Sequence, residues 1–202
     1  RSSALLSAVL DANAVSLLIK CVRDGKEAVP DASLKGLVNI ALAVGGCRGR
    51  VWREVCDAGG ISVLANVLAS ATELEKTSAV ALLINLLKGD ADGTHGTVPT
   101  LLDAGILAPV VQLILRGTNI NQKDFAVRVL GLLLETDPVR AEPAILDVGE
   151  ALPLALRSLV NQPNVPRELK QTAMRLARHL AESREASTDD DEDESDDEDC
   201  SC

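Results

Sequence analysis

Aromatic residues are almost missing from this sequence. Trp52 and Phe125 stand alone, there is no Tyr, and the aromatic share of the 202 residues is 1%. Single-stranded nucleic acids are held on several stacking faces, so this composition excludes that kind of platform. Long apolar runs are missing too: no stretch reaches the roughly 18 uncharged apolar residues of a membrane span. Only two histidines occur, His95 and His179. The cysteines at 21, 47, 56, 200 and 202 are odd in number, form no CxxC pair, and follow no secretory signal. A reducing compartment is therefore expected over a disulfide scaffold, which makes the protein cytoplasmic, or also nuclear. Excess positive charge is absent as well. Residues 184–202 hold 11 of the 30 acids and one of the 20 bases, so residues 1–183 balance at 19 of each. A neutral body with an acidic end lacks the basic face that phosphate contacts need.

What is present is an internal repeat. Asp11, Asp57, Asp103 and Asp147 each open a similar apolar pattern (DANAVSLLIKCV, DAGGISVLANVL, DAGILAPVVQLI, DVGEALPLALRSL), at steps of 46, 46 and 44 residues. A second landmark lies between them, at Ser33 in SLKGLVNIAL, Ala79 in AVALLINLL, Ala126 in AVRVLGLLL and Ala173 in AMRLARHL, at steps of 46, 47 and 47. Two landmarks sharing one period are the mark of a repeat architecture.

Each unit reads as three helices. The first is short, as in 50–56 or 98–104. Gly59, Gly105 and Gly149 follow it in three units and Asn13 in the other, residues that tolerate the left-handed backbone ending a helix. The second carries apolar residues at helical spacing, as in Ile61, Leu64, Val67 and Leu68. The third begins after a polar stretch such as SATELEK or TNINQKD, and its apolar run from Ala79 to Leu87 suits a helix buried on most sides. Pro99, Pro109, Pro138 and Pro153 fall near helix starts, where a missing N–H costs little. Strand signals are absent.

The pattern resembles the armadillo repeat family. The resemblance is carried by DAGGISVLANVL and TSAVALLINLL, and within the latter by Ala79, Leu83, Asn85 and Leu86, which match an A-x-x-x-L-x-N-L third helix; Ser33, Leu37 and Asn39 match it in part. Leu132 and His179 replace the Asn in the last two units. HEAT repeats share the period, but the Gly break after a short helix favours armadillo. The resemblance implies an all-α, right-handed solenoid of about four three-helix repeats over residues 1–183 (about 1–46, 47–91, 92–136 and 137–183), followed by a disordered acidic tail, 184–202. One such unit cannot bury its apolar faces alone, so the repeats must stack. The end of the fourth repeat is studded with charge, whereas SSALLSAVL is not, so further repeats or a partner are expected before Arg1.

The resemblance further implies that third helices line a concave face, across which an extended peptide lies with Asn side chains bonding its backbone. An amide suits that task because it both donates and accepts. The candidate groove residues are Asn39 and Asn85, the cations Lys35, Lys88, Arg128 and Arg175, and His179, with Glu135 and Glu182 at one rim. The Trp that importin-type receptors place one turn before the Asn is absent, which counts against a receptor for basic signals. The plainer readings are that Asn39 and Asn85 are satisfied within the stack and that Arg128 and Arg175 are solvated surface. Trp52, among Arg48, Arg50 and Arg53, reads as core packing against the preceding repeat, with a convex contact point as the alternative.

Catalytic chemistry does not assemble. DADGTHGT has His95 where a calcium loop requires Gly and Leu101 where it requires Glu. GGCRGR follows a helix and not a strand, so it is no phosphate loop. No metal site, cofactor or enzymatic activity is expected. In the tail, Ser187, Thr188 and Ser195 each precede an acid by three residues, resembling acidophilic kinase sites. The tail reads as a solubilising segment or as one that folds back on its own groove. Cys200 and Cys202 resemble a doubly prenylated end, which the acidic surroundings oppose. The function expected is therefore a non-enzymatic module binding an extended segment of a partner protein. The alternatives are a structural spacer in a larger array, and the recognition half of a ubiquitin-ligase or chaperone-cofactor chain.

Overall fold

The computed structural model describes residues 2–43, 48–90 and 93–189. Among them are twelve helices and no strand, in four successive triplets. The first triplet is α1 (Ser2–Asp11), α2 (Ala14–Asp24) and α3 (Val29–Ala43); the second is α4 (Arg48–Asp57), α5 (Gly60–Ser70) and α6 (Glu73–Gly89). The third is α7 (Thr97–Asp103), α8 (Leu107–Arg116) and α9 (Ile120–Thr136); the fourth is α10 (Pro138–Val148), α11 (Leu152–Asn161) and α12 (Arg167–Asp189). The three-helix reading of each repeat therefore holds. No single helix among the described residues is long and apolar enough to cross a membrane.

The triplets stack into an α-solenoid. Third helices pack in series, α3 on α6, α6 on α9 and α9 on α12. Second helices form a parallel series, α2 on α5, α5 on α8 and α8 on α11. One hydrophobic core runs without a break from Leu10 to Leu180. No unit closes a core of its own, which is how repeats that contact only their neighbours gain stability.

The turn between first and second helices is set by backbone sterics. Asn13 (φ 55°), Gly59 (φ 70°) and Gly105 (φ 70°) take the left-handed conformation, as their residue types suggest. Gly60, next to Gly59, is required for a different reason: a Cβ there would lie 2.8 Å from Ile19 Cδ1 and from Val55 Cγ1. Its bare backbone lets the start of α5 press against the preceding repeat. Gly149 departs from the expectation, with φ −117°. Here α10 runs on to Val148 and the Gly149 N–H still reaches Ile145 O at 3.0 Å, so the helix ends without a left-handed residue.

Third helices begin inside the polar stretches, not after them. Thr72 and Glu75 form a capping box at the start of α6: the Glu75 N–H donates to Thr72 Oγ1 at 3.4 Å, and the Thr72 N–H donates to Glu75 Oε2 at 2.9 Å. Asn119 caps α9 by accepting from the Asn121 N–H at 2.9 Å. Such side chains satisfy donors that a helix start leaves open. From Ala79 to Leu87 the α6 side chains are buried, apart from the half-buried Ala81 and Asn85. Pro138 opens α10 and Pro153 is the second residue of α11, as their position in sequence suggests.

The last helix passes the expected domain end at 183 and reaches Asp189. Residues around Glu182 and Ala186 are good helix formers, and Arg184 Nη1 donates to Glu150 O at 3.2 Å, tying this stretch to the turn after α10. Ser187 and Thr188, expected in the tail, fall on the α12 backbone. Cys47, Ser195, Cys200 and Cys202, with residues 190–202 generally, lie outside the described residues.

Candidate functional site

The groove residues read from the sequence lie on four consecutive third helices. Lys35 and Asn39 are exposed on α3, Lys88 is exposed and Asn85 half-buried on α6, Arg128 is exposed on α9, and Arg175 and His179 are exposed on α12. Residues three or four apart share one side of a helix. Each third helix therefore turns a short polar ridge away from the core, with Glu135 and Glu182 exposed farther along α9 and α12.

Most of these charges are already partnered. Lys35 Nζ is 2.7 Å from Asp31 Oδ2, and Arg128 Nη2 is 2.9 Å from Asp124 Oδ2 and 3.9 Å from Glu168 Oε2. His179 Nε2 lies 3.2 Å from Glu142 Oε2 on α10. Arg175 makes no ion pair among the described residues. Exposed pairs of this kind are each worth about 0–1 kcal/mol, so they orient side chains more than they stabilise the fold. Asn85 Nδ2 donates back to Ala81 O at 2.7 Å, the local satisfaction that was the plainer reading, while its carbonyl remains able to accept.

Two adjoining clefts open between these ridges. One, of about 250 Å³, is lined by Lys88 of α6, by Arg128, Gly131, Leu132 and Glu135 of α9, and by Glu168, Thr172 and Arg175 of α12. The other, of about 210 Å³, shares Gly131, Glu135, Thr172 and Arg175 and adds Leu134, Pro138, Leu176 and His179. Gly131, Thr172, Leu134 and Leu176 were not singled out in the sequence. The available signal was an isolated Gly inside an apolar helical run.

Three known structures are similar to this chain in fold. An engineered protein matches with a TM-score of 0.72 and 25% identity over 89% of this chain, which spans 40% of that protein's length. A computationally designed armadillo repeat protein for modular peptide recognition matches with a TM-score of 0.66 and 24% identity, over 88% of this chain and 68% of its own. A designed armadillo repeat protein in complex with the peptide (KR)4 matches with a TM-score of 0.55 and 21% identity, over 90% and 78%. The fold is the armadillo repeat. No family model matches the sequence, and no curated protein matches it.

Within this armadillo solenoid the remaining candidates have structural roles. Trp52 is buried at 4% exposure, so the convex contact point is not there. Beside it, Arg50 bridges repeats, with Nη2 2.7 Å from Asp11 Oδ1 and Nε 2.9 Å from Glu54 Oε1. Arg50 holds the Asp11 carboxyl below the usual aspartate range, chiefly through that hydrogen bond. In the DADGTHGT loop, the buried Asp90 carboxylate accepts from the backbone N–H of His95 at 2.7 Å and of Thr97 at 2.9 Å, which caps the start of α7. Cys21 and Cys56 are free and half-buried; burial pushes the Cys56 thiol up, helped by Asp57. Among the described residues no group of three or more His, Cys, Asp or Glu is placed to hold a metal ion.

Proposed function

We propose that the protein is a non-enzymatic binding module that receives an extended segment of a partner protein across the third helices. The observation that carries this reading is the pair of adjoining clefts crossing α6, α9 and α12, walled by the exposed polar ridges of Lys88, Arg128 and Arg175. An extended chain exposes its backbone N–H and C=O groups to side chains able to donate and accept, and Asn39 and Asn85 supply such groups at equivalent positions of two repeats. Leu132 and His179 stand at those positions in the other two, so the second half of the face reads side chains more than backbone. The armadillo designs with this fold, one for modular peptide recognition and one bound to (KR)4, support a peptide as the kind of ligand. Nucleic acid is not the partner in this reading, since the folded part carries no net basic face.

The test is charge reversal of Arg128 and Arg175 together, with circular dichroism to show that helix content is unchanged. Partner capture should be lost with the fold intact. Retained capture would point instead to docking through another surface, such as the outer end of the fourth repeat. That end exposes Leu154 (71%) and Met174 (49%) beside Arg157 and Arg178.

A further inference from the structure

A residue missing from one seam gives the groove a specific pocket. Along the third helices, the residue of α6 that corresponds to Gly131 of α9, 47 positions earlier, is Ile84, which is buried at 7% exposure. At Gly131, nothing lies within 4 Å of the point where a Cβ would stand. The side chain that α6 tucks into the core thus has no counterpart on α9, and Gly131 instead lines both clefts, of which the 210 Å³ one lies between α9 and α12. Its walls are apolar, from Leu134 and the buried Leu176, with Thr172 half-buried. Glycine inside a helix is disfavoured against almost any other residue, so its presence here works against helix stability.

The rim carries opposite charges. Glu135 stands on the α9 wall and Arg175 on the α12 wall, both exposed and both without an ion pair among the described residues. Arg128 and His179 nearby already have partners: Arg128 in Asp124, and His179 in Glu142. An extended segment turns alternate side chains to the same side, so a residue seated in the cleft has its i−2 and i+2 neighbours facing the same surface.

We propose that the cleft over Gly131 is a side-chain pocket for the partner segment. It takes one large apolar residue, with an acidic residue two positions to one side, paired to Arg175, and a basic residue two positions to the other, paired to Glu135. This rests on the peptide-binding reading of the face and specifies its ligand. Such a groove prefers a mixed-charge segment over a uniformly basic or acidic one.

The test uses the full chain and four fluorescent seven-residue peptides in a Ser background. Each has a central Leu, flanked at the second positions by Glu and Lys, Lys and Glu, two Lys, or two Glu. One mixed order should bind most tightly by anisotropy. Gly131→Ile should weaken it at least about 10-fold by filling the cleft, whereas Gly131→Ala, which leaves most of the space, should change it less than about 3-fold. Ile is better tolerated in a helix than Gly, so both variants keep the fold. The double exchange of Glu135→Arg with Arg175→Glu should reverse which mixed order is preferred. Tight binding that Gly131→Ile leaves unchanged, or an order preference that survives the exchange, overturns the pocket while leaving the groove reading in place. Failure of every peptide to bind the unaltered chain overturns both. Movement of the Gly131 and Thr172 amide NMR signals on dilution marks a second copy as the occupant. The same movement on replacing the acids of 190–199 by Asn and Gln, with no peptide added, marks the chain's own acidic segment. Either result overturns the proposal.

Discussion

Ser78 on α6 donates a 2.9 Å hydrogen bond to Asp31 on α3, and the same carboxylate holds Lys35 at 2.7 Å. One acid thus joins two repeats and orients a cation of the candidate face. The next joint has its own polar tie: Gln122 Nε2 on α9 donates to Glu73 O at 2.6 Å and to Thr77 Oγ1 at 3.0 Å on α6. Among the described residues, the joint from α9 to α12 has only the 3.9 Å approach of Arg128 to Glu168. Among the described residues, polar fixation is therefore weakest at the seam that holds the Gly131 cleft.

Removing the first tie should be measurable. Ser78→Ala is expected to cost about 1 kcal/mol, because one partner of a largely buried hydrogen bond is lost. In a chain of this size that corresponds to roughly 2–4 °C in Tm by differential scanning calorimetry. Asp31→Ala should cost about 1–3 kcal/mol, since it also strands the Ser78 hydroxyl and releases Lys35. Equal effects from the two variants would show that the acid is not the shared anchor.

Gln122 is buried, and its Oε1 finds no hydrogen-bond partner among the described residues. Gln122→Ala leaves the Glu73 carbonyl and a cavity and should destabilise by about 1–3 kcal/mol. Gln122→Met, close in volume and without the orphaned oxygen, should cost less than the Ala variant in urea unfolding. The reverse order would refute a packing-and-hydrogen-bond role.

Gly131→Ala should raise stability by about 0.5–1 kcal/mol, since the position is helical and the added methyl meets no atom. A drop in the urea midpoint would mean that the cleft is narrower than it stands here.

The Asp11–Arg50 pair, whose carboxyl is held low by the hydrogen bond from Arg50, is expected to make the first joint pH-dependent. A carboxyl whose folded pKa is depressed adds stability above its unfolded value, roughly 3.9, and loses it as pH falls through the lower folded value. The Tm gap between the unaltered chain and Asp11→Asn should therefore be present at about pH 7 and close below the aspartate range. A gap that persists at about pH 2 would assign the effect to something other than this ion pair.

The acidic end offers a final check on the groove. If residues 190–202 compete for the Lys and Arg ridges, deleting them should tighten ligand binding at low salt and change little at high salt, where exposed charges are screened. Unchanged affinity in both conditions would remove the tail from the account.

The period of 46–47 residues, the helical spacing of Ile61, Leu64, Val67 and Leu68, and the left-handed Gly59 and Gly105 were all legible in the chain, because periodicity and backbone sterics are local properties. So was the placement of Lys35, Asn39, Asn85, Arg128, Arg175 and His179 along third helices, since a repeat copies position as well as pattern. The early starts of α6 and α9 were readable from Thr72–Glu75 and Asn119, but a polar stretch reads as loop until its capping bonds are drawn. Gly149 could not be separated from Gly59 by residue type; the extra length of α10 decided its backbone. The pairs Lys35–Asp31 and Arg128–Asp124 lie four residues apart on one helix and were legible too, whereas stacking decided that His179 is occupied, because Glu142 reaches it from α10. Only stacking turned Gly131 into a cleft, because an absent side chain becomes a space when a second helix stands opposite it.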